Sequence, residues 1–256
     1  MVKEIRNFND YISWIKRMTS NDEEIWFRGQ SDDRWSLQPK LYRNSELNIK
    51  KNSVSLLKFK KTDFVSQFAE FKEVIKQIDS TIEELNDMQY LFLAQHHGLQ
   101  TPLLDWSIDP LVALYFALDG YEDNEVSSPC IYILRAKMCN RYSSLVYEDG
   151  GNILEPLCID NNILSDFSVE KIIDNRSFLN GFPMAIYSKI DFSHRISRQS
   201  GKFTVHGPIY KLPNTELYNY AVNGVEFGDK IIIHRKAVFE LRDMLDKLSI
   251  TKDTIY

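Results

Sequence analysis

Apolar positions recur at a helical period along parts of this chain and in short strand-like runs along others. Phe8, Ile12 and Ile15 fall at i, i+4 and i+7 with Tyr11 and Trp14 beside them, which predicts an amphipathic helix over 8–18. Residues 24–28 predict a strand ending at Gly29, and the polar run 44–55 predicts a loop. Leu57, Phe64, Phe68, Phe71 and Ile75 keep a helical period from 57 to 75, with the phenylalanines turned to the core. A further helix is predicted over 81–97, capped at Ser80-Thr81, with Glu83 and Glu84 in its first turn and Gly98 in the left-handed position after its end.

The run PLVALYFAL, 110–118, is apolar nearly all round and predicts a buried helix with Asp109 as its cap, Pro110 at its first position and Gly120 at its end. Downstream, CIYILRA (130–136), GKFTVHG (201–207) and DKIIIHR (229–235) predict strands. Between them, 140–165 and 208–228 predict loop-rich connections. A last helix, 237–248, is expected to turn Phe239, Leu241, Leu245 and Leu248 inward. The pattern predicts an α+β fold, a single domain with a helix-rich N-terminal half and a strand-rich C-terminal part.

Composition narrows the class. In a chain of 256 residues, 43% hydrophobic content is enough for a core that needs no metal or disulfide staple. A net charge of -5 argues against an overall basic coat for nucleic acid and leaves room for a local basic groove. Cys130, Cys139 and Cys158 are odd in number and lack C-x-x-C spacing, so they predict buried thiols in a reducing compartment. The first ten residues are charged, without the apolar core of a signal peptide, and no run approaches the roughly 18 apolar residues of a membrane span. A cytoplasmic protein with no membrane partner is expected.

Charge is uneven. From Gln77 to Leu134 there is no Lys or Arg among many acids, whereas Lys189, Arg195, Arg198 and Lys202 stand against Asp191 alone between 189 and 202. Either both are solvated faces or the fold joins them into a cleft with a carboxylate on one wall and cations on the other, suited to a phosphate-bearing ligand.

Three segments carry candidate chemistry. Arg28 follows Trp26 and Phe27 and precedes Gly29, which allows a ligand or another backbone to approach closely. Its guanidinium either pairs with a local acid or holds a phosphate or carboxylate. In 93–118, Asp105 sits between Leu104 and Trp106 and is expected to be partly desolvated, bonded to backbone N–H groups or paired with Arg28 or a ligand hydroxyl. His96 and His97 are adjacent, so on a helix at most one faces a site, and the i, i+4 spacing of helical zinc ligands is absent. In 193–207, Arg195, Arg198 and Gln199 precede a glycine and a strand and can present polar groups at a cleft edge.

Together W-F-R-G-Q (26–30), Q-H-H-G-L-Q-T-P-L-L-D-W-S-x-x-P-x-x-A-L-Y-F-A (95–117) and R-I-x-x-Q-x-G-x-F-T-V-H (195–206) closely resemble the FRG domain family of bacteria and phages. The resemblance implies one FRG-type domain over 1–256, with motif blocks at 26–43, 93–118 and 193–207. Pro102 stands where the family usually has arginine and Ser107 where it has threonine. The order of the blocks is similar to that of ADP-ribosyltransferases, which implies an ADP-ribosyltransferase-like C-terminal part and NAD as donor substrate. On that likeness Arg28 holds the NAD phosphate or ribose, Ser107 supports the nicotinamide ribose, and Gly29, Trp106 and Arg195 complete the candidate contacts. Trp106 or Tyr115 would stack on nicotinamide.

The usual Gln/Glu-x-Glu is here Gln199-Ser200-Gly201, without a glutamate. Asp105 is the replacement anion for the positive charge that develops on the sugar, and His96 the base toward the acceptor. The implied activity is that of an intracellular ADP-ribosyltransferase-like effector, a toxin in antiviral defence, acting on a protein or RNA acceptor, with an antitoxin as possible partner and no metal. Two other classes stay open: a non-catalytic domain that binds a nucleotide or a phage component, and a metal-dependent hydrolase or nuclease using His96 and Asp105.

Overall fold

A computed structural model describes residues 4–20, 24–43, 46–50, 53–57, 59–78, 85–123, 126–146, 155–160, 168–174, 179, 183–189, 201–208, 221–222, 225–226 and 228–255, those of 46–50, 53–57, 142, 144–146, 201, 221–222 and 225–226 by backbone alone. The strands in chain order are β1 (Glu4–Ile5), β2 (Ile25–Gln30), β3 (Glu46–Lys50), β4 (Ser53–Leu57), β5 (Leu103–Ser107), β6 (Cys130–Arg135), β7 (Leu157–Cys158), β8 (Met184–Tyr187), β9 (Gly201–Val205), β10 (Ala221–Val222), β11 (Val225–Glu226) and β12 (Gly228–Ile233). The helices are α1 (Phe8–Met18), α2 (Lys61–Ile78), α3 (Asp87–His96), α4 (Pro110–Leu118), α5 (Ala136–Val146), α6 (Val169–Ile172), α7 (Val238–Lys247) and α8 (Lys252–Ile255).

Eight of the strands form one mixed sheet in the order β1-β12-β6-β2-β5-β9-β8-β7. The fold is α+β, and its two central strands, β2 and β5, come from the first half of the chain. On one face, α1, α4 and α7 pack Tyr11, Trp14, Leu114, Leu118, Leu241 and Leu245 over Phe27, Ile131 and Ile231. Beyond β5, α2, α3 and α6 build a second core over Leu103, Phe203 and Ile186. The opposite face carries a third core of Trp26, Leu104, Trp106, Tyr132 and Leu134.

The seam between the first two cores falls between β2 and β5. These strands are bridged at a single pair, Phe27 with Ser107, whereas β2 and β6 pair along six residues and β5 and β9 along five. Strand β2 does not stop at Gly29 but runs through it, because the backbone of α4 lies directly above. A Cβ on Gly29 would stand 2.0 Å from the Ala113 carbonyl oxygen and 2.4 Å from the Ala117 nitrogen. Of the two approaches this glycine allows, the structure uses that of another backbone.

Asp109 caps α4 by accepting from the Leu111 N–H at 2.8 Å, with Pro110 following and Gly120 at φ +69. The helix predicted from 81 begins at Asp87, because Asn86 and Gln89 form a reciprocal capping box there. The Ser80-Thr81 cap lies outside the described residues. The β3–β4 hairpin overlaps the polar 44–55 run and extends to Leu57, so the helix predicted from 57 starts at Lys61; the hairpin's strands, ELNIK and SVSLL, alternate polar and apolar residues. Residues 136–146 are helical where a loop was expected from 140, and Asn140 ties that helix to β8 through the Ala185 backbone. In α7, Phe239 is 85% exposed and Leu248 is also exposed, while Val238, Leu241 and Leu245 are buried. Leu241 and Leu245 face inward as predicted, whereas Phe239 lies off that face and Leu248 follows the last residue of the helix.

Replacing Gly29 by alanine drives a methyl group into the backbone of α4, which no rotamer change relieves. We expect urea unfolding of Gly29→Ala to show a loss of about 3 kcal/mol, whereas Phe239→Ser, on open surface, shifts stability by less than about 0.5 kcal/mol.

Candidate functional site

A cleft of about 670 Å³ opens where β2 and β5 part. Strand alternation sends Arg28 to the face of Trp26 and Asp105 to the face of Leu103, so side chains of an unbroken ladder would not meet. They meet because the ladder ends. Arg28 Nη1 donates to the Asp105 carbonyl oxygen at 2.6 Å, taking the place of a β2 backbone N–H, and stands 3.7 Å from Asp105 Oδ2.

The two partners differ in exposure: 15% for the Arg28 side chain and 53% for that of Asp105. The expected desolvation of Asp105 is therefore corrected. It projects from an edge of the split, beside solvent, and the desolvated member is the arginine. Burial lowers the Arg28 pKa, Asp105 opposes that shift and the nearby Arg43 guanidinium adds to it. Among the described residues, Arg28 Nε is buried without a hydrogen-bond partner, as is Gln30 Oε1 two residues on. Two unpaired buried polar atoms on one strand face are an unfavourable arrangement, of order 1–3 kcal/mol each.

Other walls come from residues that pattern reading passed over. Segment 31–43 leaves β2 and folds back across the cleft, held by Tyr132 donating to the Trp35 carbonyl at 3.3 Å and Tyr42 donating to the His206 carbonyl at 3.1 Å. It presents Trp35, 56% exposed, together with Arg34 and Arg43. Arg34 is paired with Asp32 at 2.6 Å, while Arg43 Nε donates to the Gln38 carbonyl at 3.1 Å. The signal was present in the density of Arg, Gln and Trp in EIWFRGQSDDRWSLQPKLYR, which no period organises. Of the cations expected from 189–202, Lys202 pairs with Glu24 at 3.6 Å and lies over the Tyr187 ring, away from the cleft lining, while Arg198 lies outside the described residues.

From α3 and α4 come His96, Gln95 and Phe116. His96 lines the cleft and His97 packs against Phe71, so one of the two adjacent histidines faces the site. Phe116, not Tyr115, reaches the cleft. Ser107 lines it too, although its Oγ accepts from the Asp109 N–H at 3.0 Å and helps set the start of α4. Trp106 lines it from the β5 side, with its indole N–H donating to Thr204 Oγ1 at 3.0 Å. Arg195 and Gln199 lie outside the described residues. Among the described residues no group of three or more His, Cys, Asp or Glu gathers where one metal ion could bind, and no helix is long and apolar enough to cross a membrane.

Behind the cleft, Thr204 Oγ1 stands 2.8 Å from His206 Nε2. The threonine hydroxyl accepts from the indole N–H and shares a hydrogen bond with the His206 ring. Burial, and after it the charge of Arg28, pushes the His206 pKa down to about 3.

Residues 23–126 match the family described as the FRG domain. The chain carries an FRG domain. Arg28, His96 and Asp105 lie inside the matched stretch, while Thr204 and His206 lie beyond it and reach the FRG domain through the β5–β9 ladder. No curated protein and no solved structure matches the chain.

The neutral state of His206 makes a pH prediction. An unfolded histidine takes up its proton near pH 6.5, so below about pH 6.5 and above about pH 3 the unfolded chain binds a proton that the folded chain does not. Stability contributed by this group is full above that range and is lost as pH falls, by about 1.4 kcal/mol per unit. Urea titrations between about pH 6.5 and 5 should show a loss of about 2 kcal/mol that His206→Gln lacks.

Proposed function

We propose that the FRG domain is an ADP-ribosyltransferase-like effector that takes NAD as its donor substrate in this cleft and transfers ADP-ribose to a protein or RNA acceptor. The observation that carries the reading is the convergence of Arg28 and Arg43 on one side of the opening with the half-exposed Asp105 carboxylate on the other. The guanidiniums suit the diphosphate, and Arg28 offers a planar fork already tethered at one end. Exposed Trp35 and half-buried Phe116 offer aromatic faces for the rings of a dinucleotide.

In the transfer, the bond between the ribose anomeric carbon and the nicotinamide nitrogen breaks, and its electron pair leaves with nicotinamide, neutralising the ring. The acceptor nucleophile forms the new bond to that carbon and gives up its proton, for which His96 is the candidate base. Asp105 is the anion beside the positive charge that develops on the sugar. Ser107 helps hold the carbonyl-bearing end of β5, and Trp106 closes the floor. A role as a toxin in antiviral defence, with an antitoxin as partner, belongs to this same reading.

Gln199-Ser200-Gly201, without the usual glutamate, favours a second reading. In it the FRG domain binds a nucleotide or a phage component in the cleft without transferring anything.

Labelled NAD with total cell lysate, followed by separate protease and ribonuclease digestion, distinguishes the two. Transfer predicts a labelled product removed by one of the digestions, a rise in melting temperature with NAD, and loss of at least about a hundredfold in rate for Arg28→Ala or Asp105→Ala. Binding without transfer predicts the melting shift alone. Unchanged melting at saturating NAD with no labelled product contradicts the proposal.

A further inference from the structure

The Asp105 carboxylate is half in solvent, where water alone would satisfy its oxygens, yet it is held from inside the protein. Gln95 Nε2 lies 3.0 Å from Oδ1 and 3.1 Å from Oδ2, straddling the carboxylate. The other end of that amide, Oε1, accepts from the hydroxyl of Thr101, a residue with no exposure at all. Thr101 Oγ1 in turn accepts from the Leu103 N–H at 3.2 Å, at the first residue of β5. The Asp105 carboxylate oxygens accept, so the amide nitrogen of Gln95 faces them and its oxygen is left to take the threonine proton. That fixes which way round the amide lies: oxygen toward the core, nitrogen toward Asp105.

We infer that Thr101 and Gln95 are positioning residues that orient the Asp105 carboxylate for ligand and transition-state contact, a role that rests on the reading of Asp105 given above. An exposed aspartate otherwise samples several rotamers, and each costs little because water follows the carboxylate. The relay runs from a fully buried hydroxyl through one amide to the reacting edge of the cleft and leaves the outward lone pairs of Asp105 open. Because Gln95 presents only N–H groups to it, and Arg28 stands on its other side, the carboxylate accepts and does not donate. The group it is set to receive is a donor such as a sugar hydroxyl, not a phosphate oxygen.

The test compares Thr101→Val, Thr101→Ser and Gln95→Met in the full chain. Thr101→Val and Gln95→Met should lower kcat for NAD consumption roughly ten- to hundredfold with KM little changed, because orientation and not binding is lost. Thr101→Ser, which keeps the hydroxyl, should retain most of the rate. A wild-type kcat in Thr101→Val, or a loss that Thr101→Ser shares in full, overturns the inference. Should the wild-type chain not consume NAD, the functional reading has failed and the relay is judged separately by nuclear magnetic resonance of the Gln95 side-chain amide. Its two N–H signals should be protected from solvent exchange and lose that protection in Thr101→Val and Asp105→Ala. Equal exchange in all three proteins overturns the relay itself.

Discussion

One hydrogen bond sets the character of this molecule: the guanidinium of Arg28 reaches across the end of a broken ladder to the Asp105 carbonyl. A β-sheet that parts in its middle leaves backbone groups unpaired, and each must find a partner or cost free energy. Here the partner is a cation. The same side chain that closes the sheet therefore brings a buried positive charge to the mouth of a cleft, with a carboxylate 3.7 Å away. The opening itself follows from packing, since α4 lies on β2 so closely that Gly29 has no room for a methyl group, while β5 turns with its own core toward α3.

Around that contact the structure keeps structural and chemical duties on neighbouring atoms. Arg28 uses Nη1 on the backbone and leaves Nε without a partner. Asp105 gives its carbonyl to the fold and its carboxylate to the cleft. On the far side, a neutral His206 is hydrogen-bonded to Thr204, which accepts from Trp106, so the tryptophan of the cleft floor is fixed without adding a second buried charge near Arg28. Burial explains that choice first, and the positive charge of Arg28 adds to it.

Much of this was legible from the residues. The α4 cap at Asp109 and Pro110, the strands at 130–135 and 201–205, and the meeting of the Arg28 block with the Asp105 block all follow from local chemistry or from block resemblance. Other features were not, for identifiable reasons. The β3–β4 hairpin alternates polar and apolar residues, with Leu47 and Ile49 in one strand and Val54 and Leu56 in the other, a strand period that the overall polarity of 44–55 masks. Asp105 lies in an apolar run and reads as buried, and its neighbours on both faces of β5 are buried; it alone is exposed because the sheet parts beside it, which no local pattern records. Arg43 and Trp35 enter the cleft because segment 31–43 folds back over the sheet, a tertiary event without a periodic signature.

The central claim is that the split beneath Arg28 is an anion-holding cleft for a dinucleotide. An atomic-resolution structure of the full chain with ADP-ribose tests it most directly. The account predicts the diphosphate against the Arg28 and Arg43 guanidiniums, with a ribose hydroxyl on the Asp105 carboxylate. Ligand bound elsewhere, or the two arginines untouched at saturation, would contradict it.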